Sequence, residues 1–228
     1  MITVQVINTT SGDEERVLRF VQQEQLNDVL RRYHSFSNAL TARHYLIGEA
    51  VMRVLCQQAT GIALADQQFT IGAYGKPQLA GSTSWYFNKS HSLDAIVVAT
   101  GMEDMGVDVE KIRNARMNVA SRYFTSKENE WLKETDSPEI LDQRFYQIWT
   151  AKEAYLKFLG SGISYGLQKF NVIKECAGFA IDDDNNPSTQ LILSPIHDLY
   201  QLAVCTAPGV SVEIKNTKRQ TFLAYFGK

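Results

Sequence analysis

GVDVEKIR, residues 106–113, alternates apolar and acidic side chains near the middle of the chain. Successive side chains of an extended strand point to opposite faces, so Val107 and Val109 share one face while Asp108 and Glu110 share the other. Two carboxylates side by side repel each other and raise one pKa, a cost that a hard divalent cation removes by taking oxygen ligands. A solvated edge strand also shows a D-x-E pair, so the pair alone does not establish chemistry. What it establishes is a strand at the junction of two differently patterned regions.

Upstream of it the period is two: QFTIGAY (68–74), WYFNKS (85–90) and DAIVVAT (94–100) read as strands, with turns at Gly75-Lys76-Pro77, Gly81-Ser82, Ser92 and 101–105. Further upstream, residues 2–7 form a first strand, and Ser11-Gly12-Asp13-Glu14 has capping-box spacing before Val17, Leu18, Val21, Val29 and Leu30. A second helix is expected over 37–58, with Gly61 as its stop. Downstream, helices are expected over 114–134 and 138–159, then strands near 168–174, 189–194, 199–205, 210–215 and 220–225. Helices, strands, helices, strands suggest an α+β chain of two halves, 1–106 and 107–228. The run from Asp182 to Pro187 reads as a connection between strands; it lacks the glycine and distal glutamate of a calcium loop.

With 228 residues, 44% of them hydrophobic, the chain can bury a sizeable core. Its formal charge of −2 provides no basic field for nucleic acid, so any phosphate recognition is local. Cys56, Cys176 and Cys205 lack the spacing of a disulfide framework or a zinc site and read as free thiols. No stretch has the pattern of a signal peptide or membrane span, so a cytoplasmic protein is expected, with neither membrane nor nucleic-acid partner.

WTAKEAYLK, residues 149–157, sets Glu153 and Lys157 four residues apart on one helical face. An ordinary capping box (Thr150 to Glu153) or a surface ion pair gives the same letters, and Thr125 to Glu128 repeats the capping spacing. FNKSHS, 87–92, and the Lys76 turn carry groups that donate to phosphate oxygens. His34, His44 and His197 read as ordinary hydrogen-bonded residues, whereas His91 stands out by its neighbours.

Together these pieces resemble the phosphopantetheinyl transferase superfamily, in particular the long single-chain type that activates surfactin-like synthetases. The resemblance runs over about residues 31–165 and is carried by YGKP (74–77), FNKSHS (87–92), GVDVE (106–110), RYFTSKE (122–128) and WTAKEAYLK. Each fragment is weak; five in order are specific. The resemblance implies a pseudo-dimer of two similar α+β halves with the active site in the cleft between them, and a monomeric holo-[acyl-carrier-protein] synthase type enzyme. Such an enzyme transfers the 4'-phosphopantetheine arm of coenzyme A to a serine of an apo acyl or peptidyl carrier protein and releases adenosine 3',5'-bisphosphate.

Carried over residue by residue, the resemblance gives Asp108, Glu110 and Glu153 to Mg2+ at the coenzyme A pyrophosphate, with Asp108, Glu153 and Lys157 as the catalytic set and Glu153, or a water it orients, as base. It gives Lys76, Pro77, Ser90, His91, Lys152 and Lys157 to coenzyme A. The chain departs from the family where an arginine precedes Gly48 by four residues: His44 stands there, so either Arg43, one position earlier, swings in to the 3'-phosphate or His44 substitutes in part, with Arg31 or Arg32 as a supplement. Glu128 ranks below Glu153 because capping explains it.

Between 111 and 127 lie Lys111, Arg113, Arg116, Arg122 and Lys127 and no acidic residue, a local anomaly suited to an acidic carrier protein. Met117, Val119 and Tyr123 fit an apolar contact or the core. The competing readings are a non-catalytic coenzyme A or nucleotide-binding module, which needs no cluster of carboxylates, and a magnesium-dependent phosphohydrolase, which would direct them at water.

Overall fold

The computed structural model describes residues 1–228 apart from Ser11, Ala73, Ser82, Thr83, Ala177, Pro187 and Lys228. The chain divides into two compact units: Met1–Ile71 with Pro77–Glu103 and Ser211–Lys228, and Gly72–Lys76 with Asp104–Val210. Both are α+β, and each lays a 22-residue helix on a sheet.

In the first unit, β1 (Ile2–Asn8), β4 (Tyr86–Ser92), β5 (Ala95–Gly101) and β11 (Val212–Asn216) form a sheet in the order β11-β1-β5-β4. A two-residue connection, Leu93-Asp94, with Leu93 at φ 50°, joins β4 to β5. A separate hairpin pairs β2 (Phe69–Ile71) with β3 (Pro77–Leu79). The helices are α1 (Asp13–Gln23), α2 (Asn27–His34) and α3 (Ala39–Thr60). Asn38 caps α3 by accepting from Thr41 N at 2.9 Å, and Gly61, left-handed at φ 75°, ends it. Leu46, Ile47, Ala50 and Val51 of α3 share a core with Ile7, Ile96 and Val98 of the sheet. Burial of those side chains fixes which face of α3 meets the sheet.

In the second unit, β6 (Met105–Lys111), β9 (Gln190–Ile196) and β10 (Tyr200–Thr206) form an antiparallel sheet in the order β6-β10-β9, beside a hairpin of β7 (Asn171–Glu175) and β8 (Gly178–Asp182). The helices are α4 (Met117–Tyr123), α5 (Ser126–Lys133) and α6 (Pro138–Leu159). Ser137 caps α6, Pro138 opens it and Gly160 closes it in a left-handed conformation at φ 63°. Phe145, Ile148, Ala151 and Tyr155 of α6 pack with Ala203 and Cys205 of β10.

Several expectations need correction. The strand expected at 220–225 is a helix, α7 (Arg219–Ala224); Phe222 and Phe226 stand four apart and pack edge to face at 5.4 Å in the first unit's core. Helix 114–134 is two helices, because Thr125 adopts an extended backbone to cap α5. A single division at 106/107 misplaces the C-terminal segment: β11 pairs in parallel with β1, from Ile2↔Val212 to Val6↔Asn216, and so belongs to the first unit. At the first helix, Ser11 lies outside the described residues; Thr10 N donates to Asp13 Oδ2 at 2.6 Å instead. Among the described residues no helix is long and apolar enough to cross a membrane. Cys56 and Cys205 are buried free thiols and Cys176 an exposed one.

Candidate active site

Gly106 determines how near α6 comes to β6. A Cβ built on it would stand 2.0 Å from the Ala154 carbonyl oxygen and 2.3 Å from Phe158 N, so glycine alone permits this approach of helix to strand. Alternation along β6 then directs Asp108 and Glu110 to the same face as Gly106, the face α6 covers. Lys157, on the α6 turn that meets Gly106, donates from Nζ to Asp108 Oδ1 at 2.8 Å and to the Val107 carbonyl at 3.1 Å. Asp108 is buried, only 5% exposed, and Val107 and Val109 on the opposite face are fully buried. GVDVE and WTAKEAYLK therefore meet, as the resemblance implied.

Glu153, one turn before Lys157, is half-buried. Its carboxyl is held above the usual carboxylate range, first by burial and then by the negative charge of Asp108, with Lys157 opposing and Glu110 adding to the rise. Three acidic groups thus sense one another electrostatically, with one ammonium among them. Among the described residues no three His, Cys, Asp or Glu side chains stand close enough together to hold a metal ion. Asp108 is engaged by Lys157. Thr150, a candidate cap from sequence, lies inside α6 and donates from Oγ1 to the Tyr146 carbonyl at 2.7 Å, so Glu153 belongs to no capping box.

Two residues assigned to coenzyme A are engaged by protein partners. Lys152 is fully buried, with Nζ 2.8 Å from Glu128 Oε1 and donating to the carbonyls of Leu167 at 2.7 Å and Phe170 at 2.9 Å. A helix turns neighbouring residues about 100° apart, so Glu153 at the β6 face sends Lys152 into the core. Glu128 is its counter-ion as well as the expected capping residue, accepting from Thr125 N at 2.8 Å and Val172 N at 2.7 Å. Lys76 Nζ donates to Asp104 Oδ1 at 2.5 Å, the Met105 carbonyl at 3.2 Å and the Phe158 carbonyl at 3.0 Å. Its ammonium closes the C-terminal end of α6, where a cation is favoured.

Arg43, Pro77, Ser90 and His91 all belong to the first unit. Arg43 Nη2 stands 3.4 Å from Asp94 Oδ1. His44, adjacent on α3, is buried and hydrogen-bonds the Leu93 carbonyl through Nε2; burial chiefly lowers its pKa. The His44 and His91 rings stack at 4.2 Å with 29° between their planes. Ser90 is buried on β4, His91 is exposed beside it, and Pro77 begins β3. Arg32 lies over the Phe36 ring at 4.9 Å, and Arg31 is exposed.

Beside Glu110 a groove of about 450 Å³ is lined by Glu110, Lys111, Arg113, Asn114, Arg116 and Tyr146. Sequence reasoning missed Tyr146, although it stands two helical turns before Glu153 and so on nearly the same face. It also missed Asp104, the partner of Lys76; no periodicity marks a lone carboxylate in the turn before a strand.

A profile of the 4'-phosphopantetheinyl transferase superfamily matches residues 104–205, which includes β6 and α6. The chain is 30% identical over 200 residues to a 4'-phosphopantetheinyl transferase of Bacillus subtilis, covering 87% of each chain. It is 31% identical over 181 residues to 4'-phosphopantetheinyl transferase psf-1 of Bacillus pumilus, covering 78% of this chain and 77% of that one. A crystal structure of a holo-(acyl-carrier-protein) synthase from Bacillus anthracis in complex with CoA (3',5'-ADP) aligns with a TM-score of 0.40 at 20% identity, covering 45% of this chain and 92% of its own. The chain belongs to the 4'-phosphopantetheinyl transferase superfamily.

Proposed function

We propose that the protein transfers the 4'-phosphopantetheine arm of coenzyme A to a serine hydroxyl of an apo acyl or peptidyl carrier protein, releasing adenosine 3',5'-bisphosphate. The observation that carries this reading is the meeting of Asp108 and Lys157 on facing elements, with Glu153 and Glu110 in electrostatic reach.

The donor chemistry fits Mg2+: carboxylates are its preferred protein ligands, and the negative charge of Asp108 and Glu110, which adds to burial in raising the Glu153 pKa, is the excess a divalent cation would offset, the three carboxylates drawing closer to one another than they stand in the free protein. Asp108, Glu110 and Glu153 would hold it, with Lys157 released from Asp108 toward phosphate. Bound there, the ion would neutralise charge on the pyrophosphate oxygens.

The remaining chemistry belongs to the chain. The serine Oγ attacks the phosphorus that bears the pantetheine arm, a new P–O bond forms, and the P–O bond to the departing adenosine 3',5'-bisphosphate breaks. Glu153, or a water it orients, takes the serine proton. Lys157 Nζ donates to a phosphate oxygen on which charge builds. His91, Ser90, Pro77 and Arg43 contact the nucleotide.

The basic residues Arg113, Arg116, Arg122 and Lys127 are exposed, Lys111 is half-buried, and Met117 is 38% exposed among them. This surface suits an acidic carrier protein, and Lys111, Arg113 and Arg116 line the groove beside Glu110. The protein works as a monomer in the cytoplasm. The test is incubation with coenzyme A, Mg2+ and a panel of apo-carriers, followed by intact mass. A gain of about 340 Da on a carrier, the mass of the transferred arm, is expected; consumed coenzyme A with every carrier unmodified would instead indicate a phosphohydrolase.

A further inference from the structure

The least exposed ion pair among the described residues is Lys152–Glu128, with side chains 0% and 1% exposed. Three acceptors, Glu128 Oε1 and the carbonyls of Leu167 and Phe170, match the three donors of the ammonium. Glu128 in turn accepts from Thr125 N and Val172 N. One pair therefore ties α6 to α5, to the turn at 167–170 and to β7.

As a stabiliser such a pair is a weak choice, because removing two charges from water offsets most of their attraction, and apolar residues of similar volume would hold the core as well. What it adds is direction. Apolar packing tolerates a small rotation of a helix about its axis; five directional bonds around one ammonium and one carboxylate do not. Rotation matters here because Glu153 follows Lys152 directly. A turn of about 20° would displace a side-chain tip, about 5–6 Å from the helix axis, by about 2 Å. That is enough to part Glu153 and Lys157 from the β6 carboxylates. Gly106 sets the distance between α6 and β6.

We propose that Lys152 and Glu128 are positioning residues that fix the rotation of α6 and so hold Glu153 and Lys157 toward Asp108 on β6. The inference rests on the reading that Glu153 is a metal ligand.

The test compares the parent with the double variant Lys152→Met/Glu128→Gln, which removes both charges and leaves neither stranded. Mn2+, as a spectroscopic probe for Mg2+, is titrated in the presence of coenzyme A without carrier and followed by electron paramagnetic resonance. Melting temperature, kcat and the KM for coenzyme A are measured alongside. The double variant is expected to melt below the parent, because the Leu167 and Phe170 carbonyls lose their donor, but to fold and keep its coenzyme A KM, while Mn2+ affinity and kcat each fall about tenfold or more. Mn2+ affinity and kcat within twofold of the parent would overturn the proposal. Should the double variant fail to fold, Glu128→Asp serves: it keeps both charges but shortens the link, and unchanged Mn2+ affinity there would overturn the proposal equally. Glu153→Gln separates the two levels. If it retains Mn2+ binding and transfer, the underlying site assignment falls; if it abolishes both while the Lys152/Glu128 variants match the parent, only the positioning inference falls.

Discussion

Lys157 Nζ lies 2.8 Å from Asp108 Oδ1, so the ammonium of α6 compensates a carboxylate of β6 that is 5% exposed. Removing it takes a compensating charge away from that carboxylate. Lys157→Met should destabilise the fold by about 1–2 kcal/mol, less than a fully buried pair would lose because the lysine side chain is 30% exposed. Carrier modification should slow by about 100-fold or more, since a donor to the reacting phosphate is lost. Chemical denaturation and the initial rate of carrier modification check the two halves of this prediction.

Glu153→Gln should behave differently. Transfer should fall by about 100-fold or more, yet the fold should be as stable as the parent, because the carboxylate removed is repelled by Asp108 and Glu110. The sign with pH follows. Its folded pKa is raised above the ordinary 4.5, so the contribution to stability is present below pH 4.5 and is lost as pH rises through the folded value. Melting temperatures measured across that window should fall more steeply with pH for the parent than for the variant.

Gly106→Ala tests the close approach of α6. A methyl group 2.0 Å from the Ala154 carbonyl must drive helix and strand apart, at a cost of about 3 kcal/mol or more. A denaturation midpoint unchanged from the parent would contradict the geometry.

Lys76→Met separates a structural from a nucleotide-binding role. Loss of the contacts to Asp104 and the Phe158 carbonyl should lower stability by about 1–2 kcal/mol, while the KM for coenzyme A stays within about twofold. A large rise in KM at unchanged stability would restore the sequence assignment.

The thiols give a test that needs no substrate. Burial pushes Cys205 up to about 12 and also raises Cys56, so both stay protonated and screened near pH 8, whereas Cys176 is exposed. A disulfide-exchange reagent should titrate one thiol quickly in the native protein and three after denaturation. The Cys205 contribution to stability is whole below pH 9.0 and lost as pH rises toward about 12.

The core of the site was legible because its parts obey short-range periodicity. Alternation put Asp108 beside Glu110, and four-residue spacing put Glu153 beside Lys157. That the two segments meet was carried by the resemblance; the physical cause, Gly106 against the Ala154 carbonyl, is a long-range fit no local pattern encodes. The letter of Lys152 suggests phosphate, whereas its place on α6 relative to Glu153 sends it inward, to a partner 24 residues earlier in the chain. The partners of Lys76 escaped for a similar reason: a lysine in a glycine-proline turn looks like an anion ligand, and its acceptors, Asp104 and Phe158, are distant in sequence. The closing helix, α7, read as a strand because FLAYF is aromatic and apolar; only the packing of Phe222 on Phe226 reveals the four-residue period.

The parallel pairing of β1 with β11 sets an order on biosynthesis. Ile2 leaves the ribosome early, and its neighbour Val212 follows roughly ten to forty seconds later at ordinary elongation rates. Residues 104–210 are nearly continuous and can acquire their native contacts on the nascent chain, while the edge of β1 waits for its last partner. During that interval the exposed backbone of β1 is open to pairing with other chains, and it is there that a chaperone would matter most.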